Sequence, residues 1–146
     1  MVTLIRTSDI KEAKKQINNA KDNYIIVKAQ DQSFNRKILE YGKFTLFLDV
    51  EKIKEKDSLR YINSGLNHVL ARITLKNKIS LGIDLSSIER KNKKDKAILL
   101  TKIRQNIKIS RKTNLRIKTM NYKNKKDALS LLLSLGASTQ QANEAL

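Results

Sequence analysis

Strand-type and helix-type segments alternate along this chain, and no two strand-type segments meet through a hairpin turn. That pattern limits the folds open to it. Antiparallel neighbours can be joined by a two-residue turn, whereas parallel neighbours need a crossover, usually a helix. Val2-Thr3-Leu4-Ile5-Arg6 reads as a strand, followed by a helix that Ser8 or Asp9 can cap, with Glu12 placed for a capping box. Tyr24 to Ala29, rich in β-branched residues, is a second strand. Asp31 to Ser33 reads as a loop, and Phe34 to Tyr41 suits a short helix that Gly42 ends. Phe44 to Leu48 is apolar without interruption, as strands covered on both faces of a parallel sheet are.

Residues 51 to 62 are charged and give no clear period, and Ser64 or Asn63 then caps a helix to about Asn77. Ile79 to Asp84 is a strand, Ser86 to Lys94 a loop, and Asp95 the cap of a long helix to about Thr113. Leu115 to Thr119 is a strand and Met120 to Lys126 a basic loop. Asp127 starts a helix that Gly136 ends, and Ser138 with Gln141 forms a capping box for the last one. The expectation is an α/β fold of about five or six parallel strands in one domain spanning residues 1–146. A complete eight-fold barrel takes ~250 residues, so an open sheet or an abbreviated barrel is expected.

Charge supplies the functional direction. The chain carries 31 Lys and Arg against 14 Asp and Glu, a net charge of +17. Residues 90 to 126 hold 15 of those basic side chains and a single acid, Asp95. Compositional bias would spread lysine evenly, so this concentration points to a polyanion, and nucleic acid is the commonest one. A membrane surface fits less well, because membrane-surface helices want large apolar residues opposite the lysines and aromatics here are only 5%. The longest apolar runs are too short to span a bilayer, and no signal peptide is evident. The absence of cysteine excludes disulfides and thiolate metal sites and suits the cytoplasm.

The stretch DSLRYINSGLNHVLARI, residues 57 to 73, gathers a turn, a helix start and the chain's only histidine. Leu66, Val69, Leu70 and Ile73 form a one-sided apolar stripe that reads as core. His68, Arg72 and Lys76 share the other side. A general base at His68 would need an orienting carboxylate. Asp57 and Asp84 have the right chemistry, but nothing in the sequence places either nearby. One histidine cannot build a metal centre, so neither catalytic nor metal-binding residues are assigned. Polar recognition of an anion is the reading the segment supports.

This segment, above all Asn63-Ser64-Gly65-Leu66-Asn67-His68-Val69-Leu70, resembles the hallmark of ribonuclease P protein component 3, an archaeal and eukaryotic family with a barrel fold. Phe34-Asn35-Arg36-Lys37-Ile38-Leu39, Ile79 to Leu85, Asp127 to Gly136 and Ser138 to Leu146 resemble further family segments in order. Family members carry more β/α units ahead of this point, so the resemblance implies an N-terminally abbreviated barrel. Where the family leads from a strand into small residues, this chain has Met120-Asn121-Tyr122-Lys123.

The resemblance implies a non-catalytic protein subunit of ribonuclease P, the ribonucleoprotein that removes the 5′ leader of precursor tRNA. Its partners would be the catalytic RNA, ribonuclease P protein component 2 and, indirectly, precursor tRNA. Magnesium would serve the RNA and not this chain. The alternatives are another basic RNA-binding accessory protein of ribosomal type and, further off, a barrel phosphoesterase. The candidate RNA contacts are Arg90, Lys91, Lys93 and Lys94 on the basic loop, and Lys102, Arg104, Lys108, Arg111 and Lys112 on the long helix. Arg60, His68, Arg72, Lys76 and Lys123 complete the set, and Asn63, Ser64, Gly65 and Asn67 are candidate motif residues with a structural role. On the long helix, Leu99, Leu100, Ile103 and Ile107 lie on one side, while Ile98 and Ile109 break the division and are candidates for a protein contact. Tyr122, among lysines, is a candidate to stack on a base.

Overall fold

A computed structural model describes residues 1–53, 56–57 and 59–146. Five strands, β1 (Val2–Ile5), β2 (Tyr24–Lys28), β3 (Leu46–Leu48), β4 (Ser80–Asp84) and β5 (Ile117–Met120), form one sheet in the order of the chain. Every pairing is parallel, with Leu4 beside Ile26, Ile26 beside Leu46, Leu46 beside Ser80 and Leu81 beside Ile117. The α/β architecture read from alternation is the one observed, with five strands.

Helices α1 (Ile10–Asn19), α2 (Gln32–Tyr41), α3 (His68–Lys76), α4 (Leu85–Glu89), α5 (Lys93–Thr113), α6 (Lys125–Ser134) and α7 (Thr139–Glu144) occupy the connections. A single 3₁₀ turn, Val50–Lys52, follows β3. Each cap follows from local chemistry. Asp9 accepts from Lys11 N, Asp31 from Phe34 N and Ser138 from Gln141 N, the last within a full capping box.

Alternation along the strands divides the core. Ile5, Ile25, Val27, Phe47 and Leu81 face one helix-covered cluster, and Ile83 and Ile117 face a second built with α4, α5, α6 and α7. Ile26, Leu46 and Leu48, with Met120 against them, fill the opposite face. Gly82 makes this last packing possible, because a Cβ there would come within 2.9 Å of the Leu46 side chain. The sheet is open, with β1 and β5 at its two edges. The outer edge of β5 is covered by the chain itself, since Thr119 N donates to the Ala145 carbonyl at 2.9 Å.

Several expectations need correction. The segment before α5 is not a loop throughout: Asp84 caps α4 over Leu85–Glu89, and Asn92 rather than Asp95 caps α5. Asn124 rather than Asp127 caps α6. The 31–33 loop is the cap and first turn of α2. Helix α3 begins at His68 with Asn67 as its cap, three residues later than the Ser64 start. Its buried face is Leu70, Ala71 and Thr74, with Ile73 half-buried, whereas Val69 is 54% exposed. Thr74 can be buried because its hydroxyl donates to the Leu70 carbonyl at 2.7 Å. Ile109 is only 8% exposed and belongs to the core beside α3, which leaves Ile98 as the exposed isoleucine of α5.

Candidate nucleic-acid interface

The Asn63-Ser64-Gly65-Leu66-Asn67 run is a joint that fixes α3 against α5. Asp57 accepts from Asn63 N at 2.7 Å, and the Asn63 side chain accepts from Gly65 N at 3.0 Å. Gly65, at φ +81°, presses against the 3₁₀ turn so closely that a Cβ would lie 2.2 Å from the Val50 carbonyl oxygen. Only glycine tolerates both the dihedral and the approach. Ser64, 1% exposed, accepts from Gln105 Nε2 at 3.1 Å, and its carbonyl accepts from Asn106 Nδ2 at 3.1 Å. Gln105 Nε2 also donates to the Ile62 carbonyl. Asn67 closes the run by accepting from Leu70 N at 2.8 Å. Ser58, inside the motif segment, lies outside the described residues.

This joint opens a groove between α3 and α5. Its main cavity, about 700 Å³, is walled by residues 61–68 on one side and by Thr101, Arg104, Gln105, Lys108, Ile109 and Lys112 on the other. His68 and Lys112 also line a second hollow of about 490 Å³ with Arg72 and Leu75. Leu75 passes the track to a third hollow of about 320 Å³ with Lys78 and Arg116. Among the described residues, no acidic side chain lines any of the three. Six Lys and Arg side chains, with His68, face one continuous path.

Arg104, Lys108, Lys112, His68 and Arg72 therefore converge, although they come from two separate predicted surfaces. Lys76 is exposed on α3 but lines none of the hollows. Lys102 is turned inward, its side chain only 13% exposed and 4.0 Å from Asp57. Arg111 donates to the Gly136 carbonyl, toward α6, and so faces away from the track. Arg90 donates to the Ser86 hydroxyl, and Lys91, Lys93 and Lys94 are exposed on the turn entering α5. Lys123 pairs with Glu89 at 3.5 Å, both exposed. Arg60 and Tyr122 are exposed. Sequence reading missed Lys78 and Arg116. Each follows a helix that runs antiparallel to the strands, and only the parallel topology brings those two helix ends together.

The carboxyl ends of the strands, where open α/β sheets usually hold their ligands, carry a second polar region. Arg6, Lys28 and Lys52 line a cavity of about 620 Å³ with Asp31 and Asp49. Lys52 pairs with buried Asp49 at 3.2 Å. Behind them Glu51 is fully enclosed, and neither carboxyl oxygen has a hydrogen-bond partner. Burial, reinforced by the negative charge of Asp49, pushes its pKa up to about 8. Asp84 behaves oppositely. Its partial burial raises the pKa, but hydrogen bonds from Ser86 and Asn121 outweigh burial and hold it below the usual carboxylate range. Among the described residues, no three His, Cys, Asp or Glu side chains are placed to share a metal ion. No described helix is long and apolar enough to cross a membrane.

No family model matches the chain. Two curated proteins do. Ribonuclease P protein component 3 of Methanococcus maripaludis strain S2 is 26% identical over 105 residues, covering 72% of this chain and 42% of the relative. The same component from strain C7 is 25% identical over the same shares. Over those 105 residues the chain is similar to ribonuclease P protein component 3. A protein chain in a cryo-EM structure of archaeal ribonuclease P with mature tRNA has the same fold, at a TM-score of 0.80 and 20% identity. That superposition covers 99% of this chain and 63% of the neighbour. The chain thus spans about two fifths of the component 3 proteins it matches in sequence. The Asn63–Leu70 run, on which the sequence resemblance rests, lies at the α3–α5 joint and lines the main cavity.

Proposed function

We propose that this chain is a protein subunit of ribonuclease P that binds and stabilises the catalytic RNA, with the α3–α5 groove as its main RNA contact. One observation carries the reading: six Lys and Arg side chains line three adjoining hollows that hold no acid among the described residues. A folded catalytic RNA crowds phosphates around its active centre. Fixed cations offset their repulsion and release condensed counterions. The RNA then holds its active fold at lower magnesium, and the metal belongs to the RNA. Contacts run mainly to phosphate and sugar, and the protein contributes no bond-breaking group. Component 2 is the proposed protein partner, and precursor tRNA is reached through the assembled particle.

Reconstitution tests this. The chain, the RNA and component 2 are combined with precursor tRNA, and cleavage is followed against magnesium. The expected result is that the chain lowers the magnesium required, and that Arg104→Glu with Lys108→Glu removes the benefit. Cleavage of precursor tRNA by the chain alone, free of nucleic acid, would overturn the reading.

A further inference from the structure

We infer that the α3–α5 groove accepts an unpaired stretch of RNA, with its phosphates along α5 and a base against Tyr61. The inference rests on the RNA-binding reading above and narrows it to one form of RNA.

Shape is the first argument. The track's largest part is a hollow of about 700 Å³ between residues 61–68 and helix α5. A duplex is too wide to enter such a cleft and would rest only on its rims, whereas a single strand can lie within it. Spacing is the second. Arg104, Lys108 and Lys112 recur every four residues along α5, so their Cα atoms step by about 6 Å, close to one nucleotide of an extended strand. A row of that pitch can meet successive phosphates of one chain.

The lining is the third argument. Phosphate needs only cations, yet opposite α5 this cleft also offers apolar wall from Ile53, Ile62 and Leu66. Amide and hydroxyl groups of Asn67, Thr101 and Gln105 stand beside it. Tyr61, 68% exposed, lines the same wall and brings an aromatic ring to it. Cations on one side with apolar and aromatic surface on the other is the arrangement that binds single strands, because every base has a π-face. Charge argues against a basic or neutral peptide, which would gain nothing from six cations, and leaves an acidic peptide as the competitor to test.

The test uses the full chain and three probes: a labelled ten-nucleotide oligouridylate, a ten-base-pair RNA duplex and polyglutamate. The oligouridylate is expected to bind at least tenfold more tightly than the duplex. Tyr61→Ala is expected to weaken it by about tenfold, as loss of one base stack does, with Tyr61→Phe restoring it. Lys108→Glu weakens it further, while Lys11→Glu on α1 leaves it unchanged. Equal or tighter binding of the duplex, or indifference to Tyr61→Ala, would overturn the inference while leaving the subunit reading intact. Stronger competition by polyglutamate than by oligouridylate would assign the groove to an acidic protein segment and overturn it as well. Failure of ribonuclease P RNA itself to bind would end both.

Discussion

The side-chain amide of Asn106 donates to the main-chain carbonyl of Ser64 at 3.1 Å, forty-two residues away in sequence, with both groups buried. This bond ties the Asn63–Asn67 loop to the long basic helix, and the geometry of the groove depends on it. Replacing Asn106 by Leu leaves the Ser64 carbonyl buried without a donor. Loss of a buried partner costs about 1–3 kcal/mol. Urea denaturation should therefore show a lower midpoint at unchanged slope for Asn106→Leu, and an unshifted midpoint would show that the bond contributes nothing.

Gly65 makes the same joint from the other side. Gly65→Ala puts a methyl group against the Val50 carbonyl and forces a side chain into positive φ. A cost above about 2 kcal/mol is expected from these two strains together. The loop can relieve them only by moving off the 3₁₀ turn, so RNA affinity should fall along with stability. Asn63→Ala, which removes only the turn bond to Gly65 N, should cost about 1 kcal/mol.

Glu51 gives the protein a pH dependence. Its pKa is raised from 4.5 to about 8 by burial, so the folded state holds a proton that the unfolded state has lost across that window. Stability from this group is complete below pH 4.5, declines as pH rises and levels off above about 8. Glu51→Gln removes the titration. Relative to wild type, the variant should gain stability between those limits, on the order of 5 kcal/mol at most. Chemical denaturation at several pH values checks this. Parallel stability curves for the two proteins would show that Glu51 is not enclosed as described.

Much of the fold was legible because it is written locally. Ile25-Ile26-Val27 and Leu46-Phe47-Leu48 announce buried strands, and Asp9 and Ser138 sit where helix caps belong. The failures share a cause. Ser64 and Asn67 are equally good caps by composition, and Gln105 and Asn106 decide between them from a distant helix by engaging Ser64. Val69 looked like core, but Thr74 satisfies its own hydroxyl and takes a buried place on that helix. Periodicity along α5 marked Ile109 as an exception, yet α3 lies over that flank and buries it. At the groove, the cations of α5 and α3 could be named singly. Their convergence, and the membership of Lys78 and Arg116, depends on two helices ending at the same end of a parallel sheet.

The exposed cations of the α4–α5 turn provide an internal comparison. Arg90, Lys91, Lys93 and Lys94 line none of the hollows, so charge reversal at Lys93 and Lys94 should weaken RNA binding by a smaller factor than reversal at Lys108 and Lys112. Equilibrium binding of the two double variants at one salt concentration checks this. Equal losses would mean that net charge, and not the groove, governs affinity.

The most direct test is the salt dependence of binding to ribonuclease P RNA, measured by titration from about 50 to about 200 mM for wild type and for Arg104→Glu with Lys108→Glu and Lys112→Glu. If about six phosphates are neutralised along the groove, wild-type affinity should fall by a few hundredfold over that range. The triple variant should bind weakly and lose at least half of that slope. Equal slopes for the two proteins would contradict the account, because the cations that hold the RNA would then lie elsewhere.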